Sequence, residues 1–328
     1  MKYRKFGRTG WKLSEVGFGA WAIGGSWGSV DDQESMATLH KAVDLGINFF
    51  DTADVYGDGH SERLIAQLRR ERANDHIVVA TKTGRRLPAQ TTEGYTKQNL
   101  QEWMDRSRSN LGCDTLDIVQ LHCPPTDLYY MPQIFDLLDD FVERHVIRFY
   151  GVSVERVEQG LKAIEYPNVQ SVQIVFNIFR QRPMELFFEQ AIRREVGVLA
   201  RVPLASGLLA GKLHADSSFE SDDHRNFNRM GEHFDQGETF SGVDFSLALL
   251  AVEKLRSLLP PDFSMSQLAL KWILMHPAVS SVIPGARRPS QIEESAISSN
   301  LPELTKELMT AIQAVYLSLI KPSIHHRW

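Results

Sequence analysis

Residues 47–56 read INFFDTADVY. Ile47, Phe49 and Phe50 are apolar enough for a strand covered on both faces. Asp51, Asp54 and Tyr56 follow at once. A covered strand therefore runs directly into two carboxylates and a phenol. Whatever fold contains this stretch must explain polar residues at a strand's end.

The rest of the chain supplies such a fold. Apolar strand-like runs recur as EVGFGA near residue 15, NFFDTA near 48, IVVATK near 77 and DIVQLH near 117, then FYGVSV near 149, SVQIVF near 171, GVLARV near 197 and SVIPG near 281. Amphipathic stretches such as ESMATLHKAVDLG, KQNLQEWMDRSRSNLG and MPQIFDLLDDFVERH lie between them. In the first of these, Met36, Leu39, His40 and Val43 recur at helical spacing, and Gly46 stands where a helix-terminating glycine belongs. Eight strands alternating with helices predict a parallel sheet, and eight is the number that closes a (β/α)8 barrel. A doubly wound open sheet is the competing arrangement. It would carry a GxGxxG turn after an early strand, and the sequence has none. The expected fold is thus of the α/β class, a TIM barrel formed by one domain spanning residues 1–328. Two segments fall outside the alternation. The first dozen residues read as a hairpin turned at GRTG, and residues 212–245 form a long polar insertion after the seventh strand, either disordered or a lid over a site.

Composition narrows the function. The chain has 328 residues, 43% hydrophobic and 23% charged, ordinary for a globular protein with a large core. A net charge of −5 argues against a nucleic-acid face or an anionic membrane as partner. There is no 18-residue apolar run, and the opening MKYRKFGRTG has no apolar signal segment. Two cysteines, Cys113 and Cys123, are too few for a disulfide framework, so a reduced, cytoplasmic protein is expected. No cysteine and histidine cluster is spaced for a metal, and none is expected.

A barrel explains the opening stretch, because catalytic groups in such folds sit at the C-terminal ends of the strands, around the open mouth. Asp51 ends the second strand, with Tyr56 in the loop beyond it. Lys82 ends the third, His122 the fourth and Ser153 the fifth, while Gln173 lies in the sixth. Any one of these has a bland reading, as a helix cap or a satisfied structural residue. Chemically complementary groups at consecutive strand ends point to catalysis. A free tyrosine has a pKa near 10, too high for an efficient acid at neutral pH, and a neighbouring lysine ammonium is expected to lower it. Asp51 would hold Lys82 charged and oriented, and His122 would donate to a substrate oxygen beside the Tyr56 hydroxyl. Such a set polarises a carbonyl and protonates the alkoxide formed when hydride arrives. No side chain supplies hydride, so a nicotinamide cofactor is implied.

These residues resemble the aldo-keto reductases over nearly the whole chain, from GFGAWAIGG to IPGARRPSQIEES, within the branch of bacterial general reductases and potassium-channel β subunits. The segment GINFFDTADVYGDGHSE, the TK at 81–82 and the LH at 121–122 carry the family's tetrad, which makes Tyr56, Asp51, Lys82 and His122 the expected catalytic residues. The resemblance implies NADP(H) as cofactor and a small carbonyl or sugar-like substrate, with no obligate protein partner evident. VPLASGLLAGK is similar to the family's loop along the pyrophosphate, which assigns Pro203, Leu204, Ala205, Ser206, Gly207, Leu208 and Lys212 to the cofactor. Ser153 and Gln173 match its carboxamide-binding pair. The resemblance also assigns Gly19, Ala20, Trp21 and Asp51 to the cofactor, with Trp21, Tyr56 and His122 expected to face substrate. Near the C-terminus, Gly285, Arg287, Gln291 and Glu294 match the adenosine segment, with Ser295 assigned there too although Asn is commoner at its position, and Arg287 falls where the family contacts a ribose 2′-phosphate. Two further departures stand out. Arg201 replaces the aromatic residue usual two positions before Pro203, and Val154 follows Ser153 where Asn or Arg is common. The resemblance also keeps open a cofactor-sensing subunit of channel-β type and a sugar or alcohol dehydrogenase.

Overall fold

A computed structural model of the chain describes residues 1–25 and 31–328. Strands β1 (Tyr3–Lys5) and β2 (Lys12–Ser14) form the antiparallel hairpin read in the sequence. It covers the N-terminal end of the barrel. Phe6 is fully buried there, and a Cβ on Gly197 would come within 2.6 Å of its ring.

The barrel strands are β3 (Phe18–Gly19), β4 (Phe49–Asp51), β5 (Val78–Thr83), β6 (Leu116–His122), β7 (Ile147–Val154), β8 (Val169–Val175), β9 (Gly197–Arg201) and β10 (Val279–Val282). All eight apolar runs become strands, each paired in parallel with its neighbour in sequence. Parallel bridges Val16–Val282 and Gly19–Gly285 join first to last and close the cylinder. Phe49, Val78, Ala80, Ile118, Leu199 and Ile283 pack together as a layer inside it, which is what a filled barrel requires. Helices cover the outside. In helix Asp32–Asp44 the Asp31 side chain accepts from the Glu34 amide, and Gly46 takes the left-handed φ of 82°. Its buried face is Ser35, Thr38, Leu39, Ala42 and Val43, rotated from the Met36–Leu39–His40–Val43 stripe. Small residues let this face approach closely, with the Thr38 hydroxyl 3.3 Å from the Arg287 carbonyl, while the His40 ring reaches Glu71 at 2.6 Å.

The insertion after β9 is an ordered cover on the barrel mouth. It contains helix His224–Phe227 and tight turns at Gln236–Glu238 and Phe240–Gly242. The Ser206 hydroxyl donates to the Glu238 carbonyl at 3.1 Å and accepts from the Phe240 amide at 3.0 Å. Trp328 holds it in place. Trp328 Nε1 donates to Asp235 at 2.8 Å, its ring lies against the Arg180 guanidinium, and a Cβ on Gly242 would fall 2.3 Å from that ring. The tail therefore folds over the loop. Among the described residues, no helix is long and apolar enough to cross a membrane.

Candidate active site

Parallel register sets the strand ends side by side at the mouth, with Lys82 opposite Gln120, His122 opposite Ser153, and Ser153 opposite Gln173. Asp51 and Lys82 are both nearly fully buried. The three N–H groups of Lys82 are matched by three acceptors: Asp51 Oδ1 at 2.6 Å, the Thr52 carbonyl at 2.8 Å and the Tyr56 hydroxyl at 3.2 Å. Gln173 Nε2 donates to both Asp51 oxygens, at 3.2 and 2.9 Å, and its Oε1 accepts from Ser153 at 3.4 Å. The loop carrying Tyr56 closes tightly because Gly57 adopts φ 59°, where a Cβ would collide with the Gly24 carbonyl at 2.1 Å.

Electrostatics in this cluster separate the roles. Burial opposes the Lys82 charge, but Asp51 and Tyr56 prevail and raise its pKa above the ordinary value. Tyr56 departs from expectation. Burial raises its pKa, Lys82 lowers it, Asp51 raises it again, and the balance stands above the ordinary value. Lys82 thus moderates the desolvation of the phenol without overcoming it, and Tyr56 is a protonated group at neutral pH. Burial, with Arg85, Lys82 and Arg201, holds His122 well below the usual imidazole range. It is therefore neutral, and its buried Nδ1 has no hydrogen-bond partner among the described residues.

Two clefts meet at this cluster. One, of about 380 Å³, runs from Trp21, Asp51, Tyr56 and His122 past Ser153, Gln173 and Arg201 to Lys212, Arg287 and Gln291. The other, of about 690 Å³, lies beyond Tyr56 and His122 among Trp21, Phe227, Phe234, Leu87 and Pro124. Trp21, Tyr56, His122 and Glu238 line both. The Trp21 ring stacks on Tyr56 at 6.0 Å and on His224 at 4.7 Å, with Phe234 edge-on. The first cleft has the features a nicotinamide dinucleotide needs. Its floor is a strained turn with Val202 at φ 53°, Ala205 at 47°, Ser206 at 55° and Gly207 at 98°. Left-handed backbone at a β-branched residue is uncommon and is held where the surrounding structure requires it. Lys212, Arg287 and the amide-bearing Gln173 are all part of its lining.

A model of the Aldo/keto reductase family matches residues 15–317. The chain belongs to this family. Among its relatives, the uncharacterized oxidoreductase YqkF of Bacillus subtilis (strain 168) is 29% identical, with 96% of each chain aligned. A probable voltage-gated potassium channel subunit beta of Oryza sativa is also 29% identical, over 100% of both chains. Among solved structures, the glycerol dehydrogenase of Gluconobacter oxydans superposes with a TM-score of 0.77 at 26% identity, covering 98% of this chain and 96% of that one. The holo form of a Bacillus halodurans aldo-keto reductase gives the same score and identity over 96% of each.

In this aldo/keto reductase the first cleft is lined by Gly19, Ala20, Trp21, Pro203, Leu204, Ser206, Gly207 and Gly285, together with the residues named above. Ala205 and Leu208 instead pack into the core, so their side chains do not face the cleft. Glu294 and Ser295 are also absent from its lining. The Glu294 carboxylate accepts from Ser264 at 2.6 Å, and the Ser295 hydroxyl bonds back to the Gln291 carbonyl at 2.9 Å, the usual use of a serine inside a helix.

Arg85, Glu155 and Glu238 also line the second cleft, and no motif in the sequence marks them. Arg85 Nη2 donates to Glu238 at 2.7 Å and lies 3.5 Å from Glu155, and Arg201 lies 3.4 Å from Glu238. Despite its burial, Glu238 is drawn down to about 2 by Arg85 and Arg201. Cys123, Glu155 and Glu238 bring donor atoms within 4.8 Å of one another, but the two guanidiniums occupy that space and oppose a cation.

Asp54, from the opening stretch, is fully buried, and neither carboxylate oxygen has a partner among the described residues. Burial, then Glu62, pushes its pKa up to about 7. The folded protein therefore holds a proton that the unfolded chain releases near pH 4, and this contribution to stability is lost as pH rises through 7. Asp54→Asn is expected to melt above wild type at pH 8, by on the order of 1–3 kcal/mol, and to differ less at pH 5. Thermal melts of both proteins across that range check it. A gap that does not grow with pH contradicts the assignment.

Proposed function

We propose that this protein reduces aldehydes and ketones to alcohols with NADPH, Tyr56 serving as general acid. The observation that carries the reading is the Asp51–Lys82–Tyr56 chain, which ends in Tyr56 beside neutral His122 on the wall shared by two clefts. One cleft suits a dinucleotide, the other a small organic substrate. Arg287, Gln291 and Lys212 would hold the adenosine and phosphate portions, and Ser153, Gln173 and Arg201 the nicotinamide portion. A bound reduced nicotinamide supplies the hydride. In the second cleft, His122 donates a hydrogen bond to the substrate carbonyl oxygen and increases its polarisation. As charge develops on that oxygen, the Tyr56 hydroxyl transfers its proton to it. Lys82 stabilises the resulting phenolate, and Asp51 with Gln173 keeps the ammonium in place. Trp21 and the loop bearing His224 and Phe234 shield the reacting atoms from water.

Reading Arg287 as a 2′-phosphate contact gives a cofactor preference. Arginine bonds phosphate through charge-assisted, often paired hydrogen bonds. NADPH is expected to bind more tightly than NADH by about 1.5–3 kcal/mol, and Arg287→Ala to remove most of that difference while leaving NADH affinity little changed. Fluorescence titration of both cofactors tests this, and equal wild-type affinities would refute it.

Screening aldehydes, ketones and sugars with NADPH, and alcohols with NADP+, tests the activity and its direction. The likeness to a glycerol dehydrogenase keeps the oxidative direction as a second reading. The rice relative supports a channel-β type subunit only if a membrane partner binds in stoichiometric amount. Both cysteines are free thiols, in keeping with a reducing, cytoplasmic setting.

A further inference from the structure

Arg201 ends β9 and lines the cofactor-side cleft while only 8% exposed. Its Nη2 donates to the Val154 carbonyl at 3.0 Å and contacts Cys123 Sγ at 3.6 Å, and its Nε meets no acceptor among the described residues. Glu238 balances it incompletely. The carboxylate oxygen 3.4 Å from Arg201 is the same one that takes the shorter, 2.7 Å bond from Arg85. Glu155, the next acid, is only partly ionised at neutral pH because burial pushes it up to about 7. Arg180 lies behind with Asp235 facing it, and Lys82 is paired to Asp51. Positive charge is therefore in excess at this end of the cleft.

A reduced nicotinamide ring is neutral, whereas an oxidised one carries a full positive charge. Resting on the cofactor assignment proposed above, we infer that Arg201 makes the site select reduced over oxidised cofactor by charge. The nicotinamide is the portion concerned because Arg201 lines the same cleft as Ser153 and Gln173, assigned to that ring above, and donates to the carbonyl of Val154, the residue next to Ser153. At the effective dielectric of a protein site, one incompletely balanced charge several ångströms away changes affinity by roughly tenfold. In the reductive direction, such a site holds the hydride donor and releases the spent form.

Calorimetric titration of the whole protein with NADPH, NADP+, NADH and NAD+ gives the ratio of oxidised to reduced dissociation constants for whichever pair binds. Wild type is expected to show a ratio of about tenfold or more, and Arg201→Met to shrink it to within about threefold by tightening the oxidised form. Arg201→Lys, which keeps the charge, should restore the wild-type ratio. A merely structural role would weaken both forms alike in Arg201→Met and leave the ratio unchanged, which overturns the inference. If Arg201→Met does not fold, Glu238→Gln decides: the ratio should widen, and an unchanged ratio overturns the inference. Equal wild-type affinity for both forms sinks this inference alone. Binding of neither form sinks the cofactor reading and this inference with it.

Discussion

Tyr56→Phe is expected to lower carbonyl reduction by about 10²-fold or more, the range for loss of a positioned general acid, with cofactor affinity nearly unchanged. Removing the hydroxyl deletes the proton and the acceptor that lies 3.2 Å from Lys82. The ring keeps its place beside Trp21 and His122, so the clefts retain their shape. Because burial and Asp51 hold the phenol protonated, the rate should fall only on the alkaline side, where Tyr56 ionises. A mutant with more than about half of wild-type turnover, where chemistry limits the rate, would exclude Tyr56 as the donor.

Lys82→Met is expected to fail in two separable ways. Breaking a buried ion pair by removing one partner costs about 3–5 kcal/mol, because the other charge stays buried and unpaired. Here the stranded group is Asp51, 3% exposed, with Gln173 as its remaining side-chain donor among the described residues. Turnover should also fall by about 10²-fold or more, since the phenolate left after proton transfer loses its counter-charge. Adding Asp51→Asn to Lys82→Met removes the stranded charge. The double mutant should regain most of the melting temperature and none of the activity. Recovery of both together would mean that Lys82 acts only through stability.

Much of this was legible in the sequence because barrel strands are covered on both faces. Their apolar runs stand out, and the polar residues ending them identify themselves. INFFDTADVY carries Asp51 and Tyr56 at such an end, and the parallel register brings in Lys82, His122, Ser153 and Gln173 from separate runs. Glu238 was not legible. It sits in a polar loop without periodicity and meets Arg85 across 153 residues, a pairing set by how the loop lies on the mouth. The docking of Trp328 on Asp235 and Arg180 has the same origin. The Tyr56 pKa was misread because proximity to Lys82 could be inferred from the motif, whereas the larger effect of burial depends on the assembled mouth. Glu294 and Ser295 lie on a helix whose start borders the cleft, but their side chains turn to Ser264 and to the helix's own backbone.

In the proposed reaction, hydride passes from a nicotinamide to a carbonyl carbon while Tyr56 protonates the oxygen. Single-turnover reduction with NADPH deuterated at C4, followed by mass spectrometry of the alcohol, tests it most directly. One deuterium is expected on the carbinol carbon when the label is on the transferred face, formed rapidly by wild type and slowly by Tyr56→Phe. Alcohol without label from either face, or labelled alcohol formed equally fast by both proteins, would contradict it.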